Sequence, residues 1–276
     1  MKMNIKFGLI GGGVMGEALL SRLIISGTYQ GSEIIVSEPQ AERRNHLEQK
    51  YSVAVTTDNS LVLSKAKTAV MLAIKPQIFA TVAQELAAIL PIEHSPLIIS
   101  ILAGITLKQL EASFPQIPII RAMPNTPATI GAGITAISLG AYTNANHQQI
   151  AQQIFTAVGE VVEIPETLMD AVTGLSGSGP AYVALMIEAL ADGGVAVGLS
   201  RSIAQQLAVQ TVLGTATLLQ NTKIHPAELK DRVTSPGGTT IAGVSALEKA
   251  GFRSAIIEAV KASKERSQEL GNGSYL

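Results

Sequence analysis

"GLIGGGVMGEAL", residues 8–19, runs from an apolar stretch through three glycines into a helical pattern. It contains Gly11-x-Gly13-x-x-Gly16 at the position where a first strand would pass into a first helix. Each glycine has a physical reason to be there. Gly11 permits a tight turn, Gly13 lets backbone approach a pyrophosphate, and Gly16 lets helix and strand pack closely. The start of the helix, at Val14 and Met15, then offers unpaired N–H groups and the positive end of a dipole to phosphates. A Gly-rich turn that serves packing alone would show the same spacing. The context favours dinucleotide binding, because Glu38 closes the next apolar run 22 residues after Gly16.

Working outward, short β-branched runs alternate with helical patterns. Strands are predicted at 6–11, 33–38, 68–74, 96–102 and 118–123, with helices at 14–26, 39–50, 76–90 and 106–113. Two further strands, 133–140 and 159–164, flank a helix at 146–158. Continuous apolar strands alternating with helices are what a parallel sheet covered on both faces requires. After Pro165 the strand signal stops, and 181–199, 202–220 and 252–270 have helical length and spacing. The expectation is α/β followed by all-α: a Rossmann dinucleotide-binding domain over 1–165 and a helical domain over 166–276. "GNGSY" (271–275) reads as a frayed tail.

Composition narrows the function. The 276 residues are 47% hydrophobic and only 15% charged, against roughly 25% charged in ordinary globular chains. That shortage of charge points to apolar surface covered by a partner subunit. A net charge of −1 argues against nucleic-acid binding, which needs clustered Lys and Arg. The absence of cysteine removes disulfides, thiolate nucleophiles and thiolate metal sites. The amino-terminal stretch reaches glycine before a signal-peptide core can develop, and no apolar run is long enough to span a membrane. A soluble, cytoplasmic protein is expected.

Ligand chemistry is expected at the carboxyl ends of the strands. "AIKPQ" (73–77) supplies Ala73, Lys75 and Pro76, and "MPNTPA" (123–128) supplies Asn125 and Thr126. At the end of the second strand Glu38 would accept from a ribose 2′-OH and repel a 2′-phosphate, favouring NAD(H) over NADP(H). Arg43 and Arg44 would reach a 2′-phosphate if Glu38 points away; alternatively all three are solvated surface charges. In the helical half, "GLSGSGPAY" (174–182) offers serines, including Ser176, either to cap a helix or to donate to a substrate carboxylate. "HPAELKDRVTSPGGTTIAG" (225–243) places Thr239 and Thr240 near a helix start, where free N–H groups bind carboxylates well. None of His46, His94, His147 and His225 has metal-ligand spacing, so no metal site is expected, and His225 reads as a helix-entry residue. Asp170, Glu188 and Asp192 are candidate acids that also read as ordinary helix charges.

"FGLIGGGVMGEAL", "AIKPQ", "IIRAMPNTPA", "GLSGSGPAYV" and "HPAELKDRVTSPGGTTIAGVSALE" together resemble the pyrroline-5-carboxylate reductase family, in its order and over nearly the whole chain. The resemblance implies reduction of 1-pyrroline-5-carboxylate to L-proline by NADPH or NADH. It also implies an interlocked homodimer, with five dimers often forming a decamer. Residue by residue, it implies that the N–H groups of Gly238, Thr239 and Thr240 and the Ser235 hydroxyl take the substrate carboxylate, with Val233 and Ser176 alongside. The Thr240 hydroxyl would lie near the ring nitrogen, as proton donor or as orienting group. In the plainer reading Ser235 and Thr240 cap helices only. A β-hydroxyacid dehydrogenase is the nearest enzyme rival, but it needs a lysine early in the helix that here reads "AYVALMIEALADGG". A non-catalytic redox sensor would keep "GGGVMG" and have no use for "SPGGTT".

Overall fold

The computed structural model of the chain describes residues 4–90 and 95–271. "FGLI", "IIVS", "AVML" and "LIIS" have no exposed position, and they form the centre of a sheet. In chain order the sheet unit runs β1 (Phe7–Ile10), α1 (Val14–Ile25), β2 (Ile34–Ser37), α2 (Ala41–Tyr51), β3 (Ala54–Thr56) and α3 (Asn59–Lys65). It continues through β4 (Ala69–Leu72), α4 (Phe79–Ala87), β5 (Leu97–Ser100), α5 (Leu107–Ser113) and β6 (Ile119–Met123). β7 (Gly133–Leu139), α6 (Ala145–Thr156) and β8 (Gly159–Glu163) complete it. Among the described residues the sheet has eight strands in the order β3-β2-β1-β4-β5-β6-β7-β8. All neighbours are parallel except β6 and β7.

Alternation along each strand builds two cores. Phe7, Leu9, Val36, Met71, Ile99 and Ile120 face one side, where Leu19, Leu20, Ile154 and Phe155 of α1 and α6 cover them. Ile10, Ile35, Val70, Leu72, Ile98 and Ile119 face the other, under Val62, Leu86, Leu110 and Phe114. Strands buried on both faces must be largely apolar, and these are, with Ser37 and Ser100 as polar residues at the carboxyl ends of β2 and β5. β3 and α3 fall in a stretch where the sequence pattern gives no element. β3 has three half-buried residues at the sheet edge, too few for a period to show. α3 opens at Asp58, whose carboxylate accepts from the Leu61 N–H at 3.0 Å.

Four short or long helices follow α7 (Met169–Val172): α8 (Gly179–Ala196), α9 (Arg201–Thr222), α10 (Pro226–Arg232) and α11 (Thr239–Lys249), before α12 (Phe252–Gly271) ends the described chain. The strand pattern predicts a boundary near 165. By compactness, residues up to Gly177 and those from Ser263 form one unit, and Ser178–Ala262 form the other. The segment after 165 sits with the sheet because Met169 packs on Met123 and Ala136, and because Glu166 pairs with the buried Arg121 at 3.0 Å. Residues 1–3, His94 and the "GNGSY" tail beyond Gly271 lie outside the described residues. Among the described residues, no helix is long and apolar enough to cross a membrane.

In Ser178–Ala262 the buried apolar residues are Ala191, Ala204 and Ala208, where α8 crosses α9. Gly194 allows that crossing: a Cβ there would stand 2.9 Å from the Ala204 Cβ. Leu185, Leu207, Leu213 and Ile257 are exposed. The shortage of charge predicts apolar surface for a partner subunit, and a single chain leaves these side chains uncovered.

Candidate active site

The glycine loop meets its requirements one by one. Gly11 has φ +103°, and a Cβ there would lie 2.6 Å from the Ala73 carbonyl oxygen. A Cβ on Gly16 would lie 2.2 Å from the Gly11 carbonyl oxygen, so helix and loop touch backbone to backbone. At Gly13 a Cβ would meet nothing within 4 Å, which leaves the outer face of the loop open. Gly13 is the N-cap of α1 and contributes no side-chain bond to it. The first N–H groups of α1 therefore remain available to an anion. Val14 is exposed, while Met15 packs on the core behind the loop. The residues present fit a dinucleotide pyrophosphate.

Glu38, Arg43 and Arg44 are not solvated surface charges, and this corrects one sequence reading. Glu38 is 7% exposed. Its Oε2 accepts from the Gly12 N–H at 3.0 Å, and its Oε1 accepts from the Gln40 N–H at 2.9 Å. Arg44 donates to the carbonyls of Glu38 and Pro39. Arg43 donates through Nε to the Gly12 carbonyl at 2.6 Å and through Nη2 to the Gly13 carbonyl at 3.4 Å. It also pairs with Glu17 in the first turn of α1. Lys50 and Tyr51 of α2 donate to the same carboxylate, and His46 Nε2 lies 3.1 Å from it. Burial alone would raise the Glu17 pKa. Hydrogen bonds from Tyr51, His46, Lys50 and Arg43 outweigh that and hold it at about 2.

The loops after β4 and β6 leave the same edge of the sheet as the glycine loop, since β1, β4, β5 and β6 are parallel. Ala73 donates its N–H to the Ile10 carbonyl at 2.8 Å, which ties this loop to the first. Lys75 is exposed and precedes a one-turn helix that begins at Pro76. Thr126 is exposed in the loop after β6. Asn125 is buried, and its Oδ1 accepts from the Ile134 N–H at 3.0 Å, so its carbonyl oxygen serves the entry to β7.

In the helical unit Gly238 is the N-cap of α11, again without a side-chain bond. Gly237 has φ +68°, a conformation that favours glycine. A Cβ on Gly238 would stand 2.3 Å from the Ser235 hydroxyl oxygen, so that hydroxyl lies over the turn. Of the three amides expected to hold a carboxylate, that of Gly238 is turned back to the Ser235 carbonyl at 3.1 Å. The turn that places exposed Thr239 and half-buried Thr240 at the helix start consumes it. Val233 is exposed one turn earlier.

Ser176 does not cap α8, whose N-cap residue is Ser178. Residues 173–177 form a π-helical turn in which the Ser176 hydroxyl donates to the Val172 carbonyl at 3.2 Å. Asp170 accepts from the buried Ser267 at 2.7 Å, and Asp192 pairs with Arg201. Glu188 lies beside that pair in an open cleft along α8 and α9. His225 caps α10 by accepting from the Ala227 N–H, as its helix-entry reading predicts. Sequence reasoning missed the grip of Arg43 on the glycine loop. No local pattern could reveal it, because the two partners are 31 residues apart.

Comparison with known proteins adds the family. The model for pyrroline-5-carboxylate reductase dimerisation matches residues 166–270, and that for NADP oxidoreductase, coenzyme F420-dependent, matches residues 6–104. The chain is 59% identical to the pyrroline-5-carboxylate reductase of Synechocystis sp., over 98% of this chain and 99% of that one. It is 43% identical to the reductase of Arabidopsis thaliana, over 97% and 96% of the two chains. Among solved structures, the reductase from Coxiella burnetii superposes with a TM-score of 0.89 at 34% identity, covering 97% of this chain and 98% of that one. The Plasmodium falciparum enzyme with NADP bound superposes at 0.87 with 31% identity, covering 98% and 99%. The chain belongs to the pyrroline-5-carboxylate reductase family.

Proposed function

We propose that this protein reduces 1-pyrroline-5-carboxylate to L-proline, with hydride supplied by bound NADPH or NADH. The substrate is a cyclic imine whose C=N carbon is already electrophilic. Hydride adds to that carbon, which becomes C5 of proline; the C=N π bond becomes the nitrogen lone pair, and a proton completes the secondary amine. Such a reaction needs orientation and electrostatic complementarity more than an elaborate acid–base set. The observation that carries the reading is the open start of α11, where a glycine N-cap leaves helix amides unspent. We assign the substrate carboxylate to the N–H groups of Thr239 and Thr240 and to the Ser235 hydroxyl. Gly238 shapes that turn, and Val233 borders it. The Thr240 hydroxyl is assigned to the ring nitrogen, which it orients by a hydrogen bond.

On the cofactor side the chain's task is to hold a pyrophosphate against Gly13, Val14 and Met15. Ala73, Lys75, Pro76 and Asn125 flank it at the same sheet edge. Glu38 spends both carboxylate oxygens on backbone amides, so its charge is partly satisfied before a ribose arrives. We therefore expect turnover with both cofactors. The protein self-associates through its helical half, and we propose a dimer there, with a decamer of five dimers as the larger assembly and the cytoplasm as its compartment. The test is oxidation of NADPH and of NADH, followed by absorbance, with pyrroline-5-carboxylate supplied. Substrate-dependent oxidation by at least one cofactor is expected. Failure with both would end the reductase reading.

A further inference from the structure

Three glycines in a row give the β1–α1 loop its close approach, and they also give it freedom. A peptide between two glycines rotates more easily than any other. A binding site that relies on the N–H of such a peptide needs something to stop the rotation. The two peptides that flank Gly12 are held from the outside. The carboxylate of Glu38, at the end of β2, takes the N–H that enters Gly12, and the guanidinium of Arg43, in the first turn of α2, takes the carbonyl that leaves it. In a trans peptide the carbonyl and the following N–H point in opposite directions. With the Gly12 carbonyl drawn toward Arg43, the Gly13 N–H is aimed the other way. The second prong of Arg43 reaches the Gly13 carbonyl at 3.4 Å, fixing the next peptide as well.

The position is an odd one for a cation. The N-terminus of α1 carries partial positive charge and disfavours a guanidinium by a few tenths of a kcal/mol to about 1 kcal/mol. Glu17, one turn into α1, offsets that by pairing with Arg43, and Lys50, Tyr51 and His46 of α2 hold Glu17 in place. A planar, two-pronged donor suits two adjacent carbonyls and a carboxylate in a way that an ammonium does not. Arg43 is also largely withdrawn from solvent.

We propose that Arg43 is a positioning residue for the dinucleotide: it fixes the Gly12–Gly13 peptide so that the loop presents its N–H groups to the pyrophosphate, and it does so for NADH and NADPH alike. Arg43 therefore acts on affinity through the backbone rather than by reading the 2′ position. The effect is preorganisation, since the ligand is spared the cost of ordering a glycine-flanked peptide.

The test is calorimetric titration of the full-length protein and of Arg43→Lys and Arg43→Gln with NADPH, NADH, ADP-ribose and AMP. ADP-ribose keeps the pyrophosphate without the nicotinamide, and AMP lacks the pyrophosphate. Loss of one charge-assisted hydrogen bond corresponds to about a tenfold effect. Both substitutions are expected to weaken NADPH, NADH and ADP-ribose by about tenfold each, with the NADPH/NADH ratio held within about twofold and AMP unchanged. In turnover the cofactor KM rises while kcat at saturation stays near the wild-type value. Selective loss of NADPH would make Arg43 a 2′-phosphate ligand and overturn the proposal. Near-normal affinity in Arg43→Lys beside a loss in Arg43→Gln would show a direct charge contact, and would overturn it equally. Should either variant fail to fold, Glu17→Gln removes the anchor of Arg43 and is expected to act in the same direction, by about threefold; unchanged affinity there counts against the proposal. The inference rests on dinucleotide binding by this loop. If the wild-type protein binds neither cofactor, that reading fails; if it binds both and Arg43→Lys matches it for every probe, only the role of Arg43 fails.

Discussion

The two units of this chain solve the same problem differently. The sheet unit buries its apolar residues within one chain, in two cores formed by alternate faces of the strands. The helical unit buries three alanines and leaves its leucines and isoleucines outside. Similar apolar sequence thus yields a finished core in one place and an unfinished one in the other. The difference lies in geometry. A parallel sheet with helices on both faces closes around its strands, whereas α8 and α9 meet along one narrow line and need another surface to cover the remainder. In a family whose helical domain is a dimerisation domain, that surface is a second copy.

The contrast can be broken at either end. The largest effect is expected for Phe155→Ala, which empties space in the sheet core and costs about 3–5 kcal/mol in chemical denaturation. That loss should not depend on protein concentration. Leu213→Asp, on the uncovered face of α9, should leave the sheet unit intact and weaken self-association roughly a hundredfold by sedimentation velocity. If both variants lose stability independently of concentration, the helical unit does not rely on a second copy and the contrast fails.

Smaller effects sharpen the account of the sheet unit. Arg121 is buried, and its Nη1 donates to Glu166, whose side chain is 28% exposed. Removing the carboxylate in Glu166→Gln should cost about 2 kcal/mol, less than the 3–5 kcal/mol of a fully buried pair, read from the denaturation midpoint. Glu17 is best read through the pH dependence of stability. Its folded pKa, at about 2, lies below the ordinary 4.5, so the stability it contributes is complete above pH 4.5 and is lost as pH falls toward 2. A Glu17→Gln variant should therefore show a flatter dependence of Tm on pH between about 4.5 and 2. An unchanged slope would remove Glu17 from the network around Arg43.

Much of this was legible in the sequence because it rests on local pattern. Parallel strands announce themselves as nearly unbroken apolar runs, and Gly11 and Gly16 announce a loop that nothing larger would fit. β3 was not legible: three half-buried residues at a sheet edge carry no period. The direction of Glu38 was not legible either, since a carboxylate at a strand end can face a ribose or its own loop, and the backbone amides of Gly12 and Gln40 decided it. The capping alternative for Ser176 failed because a π-helical turn, which no local pattern announces, directs its proton to the Val172 carbonyl. The shortage of charge points to apolar surface for a partner subunit, but composition alone does not say which helical leucines stay uncovered in one chain.

The central proposal is a division of labour, in which the glycine loop of the sheet unit would hold the cofactor and the start of α11 the imine acid. Thr240→Ala separates the two most directly, with cofactor affinity measured by titration beside steady-state turnover with pyrroline-5-carboxylate. Turnover is expected to fall by about ten- to a hundredfold while the NADPH dissociation constant stays within about twofold. A parallel loss of cofactor affinity, or full turnover without the hydroxyl, would contradict it.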